Sequence, residues 1–160
     1  MPFTPLHDTL DDSLSGTEGE PSAGYILYAE DNASDAAFFA RCLRRVDPDL
    51  KLIHRENGML ARDFLESRIA ENLPLPRVVI LDIKMPGRSG LDVLEYIRST
   101  DGLKHVPVLM LSASSEKRDL RRAVRQRASA YLTKPERYHN LKDLVEAIVH
   151  FWMQLNQAPK

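Results

Sequence analysis

The chain predicts a doubly wound α/β sandwich, a five-stranded parallel sheet with helices on both faces, and three observations carry that expectation. Short apolar runs alternate with segments of helical period along most of the sequence. Two of the runs, 77–81 and "VPVLMLSA" at 106–113, are almost continuously apolar, which marks strands covered on both faces. Each run is separated from the next by a helix-sized segment, as right-handed parallel crossovers require.

The first strand is "YILYA" (25–29). The helix after it covers 32–46, with Ala36, Phe39, Ala40 and Leu43 at three- and four-residue spacing, and Asn32 or Ser34 placed to cap its start. "LKLIHRE" (50–56) is the second strand, with Leu50, Leu52 and His54 on one face. A second helix over 58–73 is closed by "PLP". The third strand runs into Asp82 and a Met-Pro-Gly loop, and 90–99 reads as a short amphipathic helix. After the fourth strand come a basic helix over 115–127, a short fifth strand "AYLT" (130–133) and a last helix over 141–155. In that last helix Phe151 and Trp152 are adjacent, and adjacent residues cannot share one narrow face, so at least one aromatic points away from the core.

Residues 1–23 are acidic, rich in Ser, Pro and Gly, and without sustained period, which predicts a flexible arm. Residues 24–157 then form a single domain, with no length left over for an output domain. The net charge of -1 and the lack of a basic stripe with interleaved aromatics argue against a nucleic-acid partner. No apolar run approaches the roughly 20 residues that span a bilayer, and the start lacks the order of a secretion signal; the expected location is cytoplasmic. The single cysteine, Cys42, reads as a buried thiol, and the five histidines show no metal-ligand spacing.

In a doubly wound sheet, ligands sit beyond the carboxyl ends of the strands. There the sequence places Glu30-Asp31 after the first strand, Asp82 after the third, Ser112 after the fourth and Lys134-Pro135 after the fifth. Three carboxylates gathered at one edge repel one another unless a cation compensates. An oxygen-only set points to magnesium. Lys134 is a compact charge suited to a phosphoryl oxygen, and Ser112 can donate a hydrogen bond to another. An aspartate in such company can attack a phosphoryl group and form an acyl phosphate, so Asp82 is the candidate phosphoacceptor.

With these residues in view, the chain resembles the response-regulator receiver domain of two-component signalling, whose fold is the flavodoxin-like (βα)5 sandwich. "YAEDN", "LDIKMPGRSG", "LSA" and "YLTKP" carry the likeness, at separations of 51, 30 and 22 positions between Asp31, Asp82, Ser112 and Lys134. The resemblance implies a phosphoprotein that signals rather than an enzyme with turnover. It further implies that Glu30, Asp31, Asp82 and the backbone carbonyl of Lys84 hold Mg2+, and that a sensor histidine kinase phosphorylates Asp82. Ser112 and Lys134 would bind the phosphoryl group, Ser112 and Tyr131 would form the switch, and Lys134-Pro135 would be a cis bond.

A narrower likeness, in "SRIAENLPLPR", "STDGLKHVPV" and "LKDLVEAIVHFW", is to the small stand-alone regulators that partner phytochrome-type kinases. By the same likeness a homodimer is expected through the fourth helix, fifth strand and fifth helix. Arg127 stands where the family usually has glycine, so the fourth helix is expected to end differently. Phosphate sink, pseudo-receiver scaffold and small aspartyl-phosphate phosphatase are the alternative functions. The phosphatase needs a second acid two residues after the nucleophile, where this chain has Lys84.

Overall fold

The computed structural model describes residues 24–113 and 116–155; the proposed arm over 1–23 lies outside them. Five strands form one parallel sheet: β1 (Ile26–Ala29), β2 (Leu52–Arg55), β3 (Val78–Asp82), β4 (Val108–Ser112) and β5 (Ala130–Thr133). Their spatial order is β2-β1-β3-β4-β5. The helices are α1 (Ala33–Val46), α2 (Gly58–Ala70), α3 (Gly90–Ser99), α4 (Lys117–Arg125) and α5 (Tyr138–Ile148).

Side chains alternate across a strand, and here the alternation feeds two separate cores. Leu27, Ala29, Val79, Leu81, Val108 and Met110 face Ala61 and Leu65 of α2, Leu94 and Ile97 of α3 and Ala123 of α4. Ile26, Tyr28, Val78, Ile80, Leu109 and Leu111 face Phe39 and Leu43 of α1 and Val145 and Ile148 of α5. β3 is fully buried along its length, which is why its sequence is apolar without alternation until Asp82. Cys42 is a buried thiol, as expected.

Two local outcomes differ from the sequence reading. The last helix starts at Tyr138 and is α-helical only to Ile148, after which Val149–Leu155 widen into π turns. Arg77 Nε donates to the Trp152 carbonyl there at 3.3 Å, taking up one of the acceptors left open at a helix end. Trp152 packs against the α1–α5 core while Phe151 stays 51% exposed, so the two adjacent aromatics do diverge.

The end of α4 is the second difference. Arg127 itself adopts φ +63°, the left-handed conformation that glycine favours, so the expected change in how this helix is closed does not follow from the missing glycine. A side chain in that region costs about 1–2 kcal/mol, and the neighbourhood offsets it. Arg98 Nε donates to the Arg127 carbonyl at 3.0 Å, while its Nη1 donates to the carbonyls of Lys104 (3.1 Å) and Val106 (2.8 Å). One guanidinium thus ties the α4–β5 turn to the loop before β4.

Candidate functional site: the carboxyl edge of the sheet

Register decides which residues meet at the edge. Ala29 pairs with Leu81, Asp82 with Leu111 and Ser112 with Thr133, so the residues that follow each strand emerge side by side. The Lys134 backbone N–H donates to the Ser112 carbonyl at 2.8 Å and fixes the start of the β5–α5 loop beside β4. Asp82 shares the strand parity of Val78 and Ile80, so its side chain lies on the α1 side of the sheet.

The expected gathering of charges is present. Lys134 Nζ lies 2.8 Å from Glu30 Oε2 and 3.3 Å from Asp82 Oδ2, with the lysine side chain only 14% exposed. Glu30 and Asp82 are buried and Asp31 is exposed. Glu30, Asp31 and Asp82 each offer a carboxylate oxygen within 4.8 Å of the others. Such an all-oxygen set fits a hard divalent cation. Burial pushes the Glu30 carboxyl up to about 7 despite the lysine beside it, and the charge of Asp82 adds to the rise. The same carboxylates raise the Lys134 ammonium above its ordinary value, outweighing the opposing effect of its burial. A second positive charge at this edge would relieve both carboxylates.

Backbone and neighbouring side chains hold the acids in place. The Lys84 N–H donates to Asp82 Oδ1 at 3.3 Å and the Asn32 N–H donates to Glu30 Oε1 at 3.1 Å. Tyr28 Oη donates to Glu30 Oε2 at 3.4 Å, and His54 Nε2 lies 2.8 Å from the Glu30 carbonyl. The Lys84 ammonium, by contrast, is 65% exposed and reaches Glu116 at 3.7 Å, across a cleft of about 600 Å³ that opens beside Asp31.

Ser112 is fully buried, and its side chain is hydrogen-bonded to the phenol of Tyr131. Burial raises the Tyr131 phenol above its ordinary range, and Asp119 adds to the effect. The two residues named for the switch are therefore in direct contact.

One expectation is corrected. There is no cis peptide among the described residues, so Lys134-Pro135 is trans. The intrinsic preference of X–Pro bonds for trans is small, about 0.5–1 kcal/mol. With the bond trans, the Lys134 ammonium already reaches Glu30 and Asp82, so the contacts between these charges do not require the other isomer.

One site residue escaped the sequence reading. Asp35, in the first turn of α1, accepts from Lys134 Nζ at 3.0 Å. An acid there has an ordinary explanation, since carboxylates favour helix N-termini, and nothing in the local pattern sets it apart. Only the position of β5 across the sheet does so.

Comparison with known proteins gives the family. The response regulator receiver domain matches residues 26–146. The chain belongs to the response-regulator receiver family. It is 34% identical over 134 residues to the probable methanogenesis regulatory protein FilR2 of Methanothrix harundinacea, covering 84% of this chain and 86% of that one. Response regulator Rcp1 of Synechocystis is 30% identical over 135 residues, covering 84% and 92%. The Mn2+-bound structure of Rcp1 superposes with a TM-score of 0.75 over 86% of this chain and 99% of that one, at 30% identity. The phosphorylated cyanobacterial phytochrome response regulator RcpA gives 0.80 at 26% identity, over 87% and 100%. A receiver is a signalling module of two-component systems, and the five-stranded sheet found here is that fold. Among the described residues no helix is long and apolar enough to cross a membrane.

Proposed function

We propose that this receiver accepts a phosphoryl group on Asp82 from the phosphohistidine of a sensor kinase, and that the kinase is of the phytochrome type. The observation that supports it best is the Lys134 ammonium, held between Glu30 and Asp82 at the carboxyl edge of the sheet. The partner class is supported by the likeness to RcpA, a phytochrome response regulator by name.

In the transfer, a carboxylate oxygen of Asp82 forms the new P–O bond as the P–N bond of the phosphohistidine breaks, and the imidazole leaves neutral after taking up a proton. Lys134 pairs with an oxygen of the incoming group, which spreads charge over its three oxygens in the transition state. Ser112 exchanges its bond to Tyr131 for one to the phosphoryl group, which frees Tyr131 to change rotamer. Glu30, Asp31 and Asp82, with the Lys84 carbonyl, are the residues that would hold magnesium. Bound there, the cation would neutralise charge on the transferring group.

We assign the surface that would report this change to α4, β5, α5 and the π turns that follow α5, where Leu120 (44%) and Val124 (68%) of α4 and Phe151 (51%) and Leu155 (59%) of the π turns are exposed, and a homodimer through it is part of the proposal. Intact-mass spectrometry after incubation with acetyl phosphate and magnesium tests the central step. One added phosphoryl group on the wild-type chain, lost in Asp82→Asn, is the expected result. An unmodified wild-type chain would overturn it.

A further inference from the structure

The geometry points to Asp35 as the positioning residue for Lys134, holding its ammonium over Asp82 through a closed ring of four hydrogen bonds. The Asn32 N–H donates to Glu30 Oε1 at 3.1 Å, and the Asp35 N–H donates to Asn32 Oδ1 at 3.0 Å. Lys134 Nζ then donates to Asp35 Oδ2 at 3.0 Å and to Glu30 Oε2 at 2.8 Å, which closes the ring. The cap of α1 and the acid–lysine cluster are one structure.

An ammonium has three N–H donors, and here they meet three carboxylates: Glu30, Asp35 and Asp82. In the proposed reaction, on which this inference rests, two of those partners change. Asp82 becomes an acyl phosphate, and Glu30 shares its charge with a cation. Asp35 alone keeps its charge and its place, because its backbone is fixed by the cap at Asn32. The lysine stem is four carbons long and flexible, so an unchanging anchor on its α1 side keeps the ammonium over the reacting oxygen while the other partners are exchanged. Asp35 also borders a hollow of about 280 Å³ formed with Phe38, Pro135 and Leu141, so its carboxylate is reached from solvent while its other side faces the lysine. Its side chain is 39% exposed, which limits the strength of the pair.

The test uses the full chain with Asp35→Asn, which keeps the backbone cap and side-chain volume but removes the charge. Phosphorylation by acetyl phosphate should slow by about fivefold, the scale of a half-exposed ion pair, and magnesium affinity should stay within about twofold by the same measure. Asp35→Glu, which restores the charge, should recover most of the rate, and Asp63→Asn on the exposed face of α2 should match wild type. The 15N resonance of the Lys134 ammonium in the unphosphorylated chain is the direct readout: it should shift in Asp35→Asn and return towards wild type in Asp35→Glu. An unshifted ammonium with an unchanged rate overturns the inference. So does a parallel loss of magnesium affinity and rate in both variants, because that pattern means the end of α1 has merely been damaged. A wild-type chain that acetyl phosphate leaves unmodified sinks the proposed function instead, and the ammonium resonance still reports whether Asp35 holds Lys134.

Discussion

Gly90, the first residue of α3, is where stability and the site can be separated by one methyl group. Its φ is not positive, so its backbone is open to any residue, and the objection to a side chain is space. A Cβ added there would run into the Asp82 carbonyl oxygen, would lie 2.9 Å from the Asp82 carbonyl carbon and 3.1 Å from Met110 Cε. Carbon atoms rest at about 3.5–4.0 Å, so backbone must give by roughly 0.6–1 Å in Gly90→Ala, and the backbone that gives is that of the phosphoacceptor. Overpacking of this kind costs about 1–3 kcal/mol. The gain in helix propensity from alanine, at most about 1 kcal/mol, offsets part of it. A net loss of about 2 kcal/mol and a urea slope of about 2 kcal/mol per M give a midpoint lower by about 1 M. The displacement of Asp82 should also slow phosphorylation by acetyl phosphate about tenfold or more, since a shift near 1 Å can cost far more than that. Ser89→Ala is the matched control: it removes the side chain that caps the same helix end through Asp92, costing about 1 kcal/mol, without touching Asp82. Equilibrium urea unfolding and the phosphorylation rate, measured on both variants, decide the matter. A Gly90→Ala chain with the wild-type midpoint, or one that loses stability while keeping the wild-type rate, would refute the reasoning.

Arg127→Gly should stabilise the chain by about 1 kcal/mol, because the left-handed backbone is kept and the side-chain penalty is removed; a lower thermal midpoint would contradict this. Arg98→Ala should destabilise by about 2 kcal/mol, through the loss of charge-assisted bonds to the carbonyls of Lys104, Val106 and Arg127, as read by chemical denaturation. Glu30 has a folded value raised from 4.5 to about 7, so its contribution is fully present below about 4.5 and is lost as pH rises to about 7. In the metal-free chain, the difference in stability between wild type and Glu30→Gln should therefore move against wild type across that interval, and added magnesium should reverse the movement at neutral pH. A pH-independent difference would show that Glu30 is not held protonated by its burial.

The sheet was legible because buried strands must be apolar on both faces and because each helix had a period of its own. β3 and β4 are the clearest cases: both are buried at every position. Glu30, Asp82 and Ser112 were legible for a related reason, since a polar residue at the end of such a strand stands out against it. Asp35 was not, because it lies inside a helix whose first turn accepts acids anyway; its role exists only once β5 is placed in the same sheet as β1, with β3 and β4 between them. Arg127 was misread because the preference for glycine at a left-handed position is a matter of about 1 kcal/mol, which hydrogen bonds from Arg98, 29 residues away, are enough to offset. The π turns of 149–155 left no mark in the apolar spacing, which a helix and its widened end share over so short a stretch.

The charges at this edge also impose an order on the proposed reaction. Glu30, Asp31, Asp35 and Asp82 surround one ammonium, so with every group ionised the cluster is negative by three charges. Two of those carboxylates are buried, where interactions are screened least. Exchanging the Asp82 carboxylate for an acyl phosphate adds still more negative charge at the same spot. The chain itself can respond only by protonation, and the rise of Glu30 to about 7 is that response. A proton on Glu30, however, cancels one charge and takes away a ligand, whereas a divalent cation cancels two and keeps all three acids as ligands. In the proposed reaction, proton and cation would therefore compete for one carboxylate, and the phosphoryl group would follow the cation. Phosphorylation should accordingly fall with pH below about 7 in parallel with magnesium affinity, and saturating magnesium should restore it; a rate that falls with pH at saturating magnesium would place the limiting proton on another group.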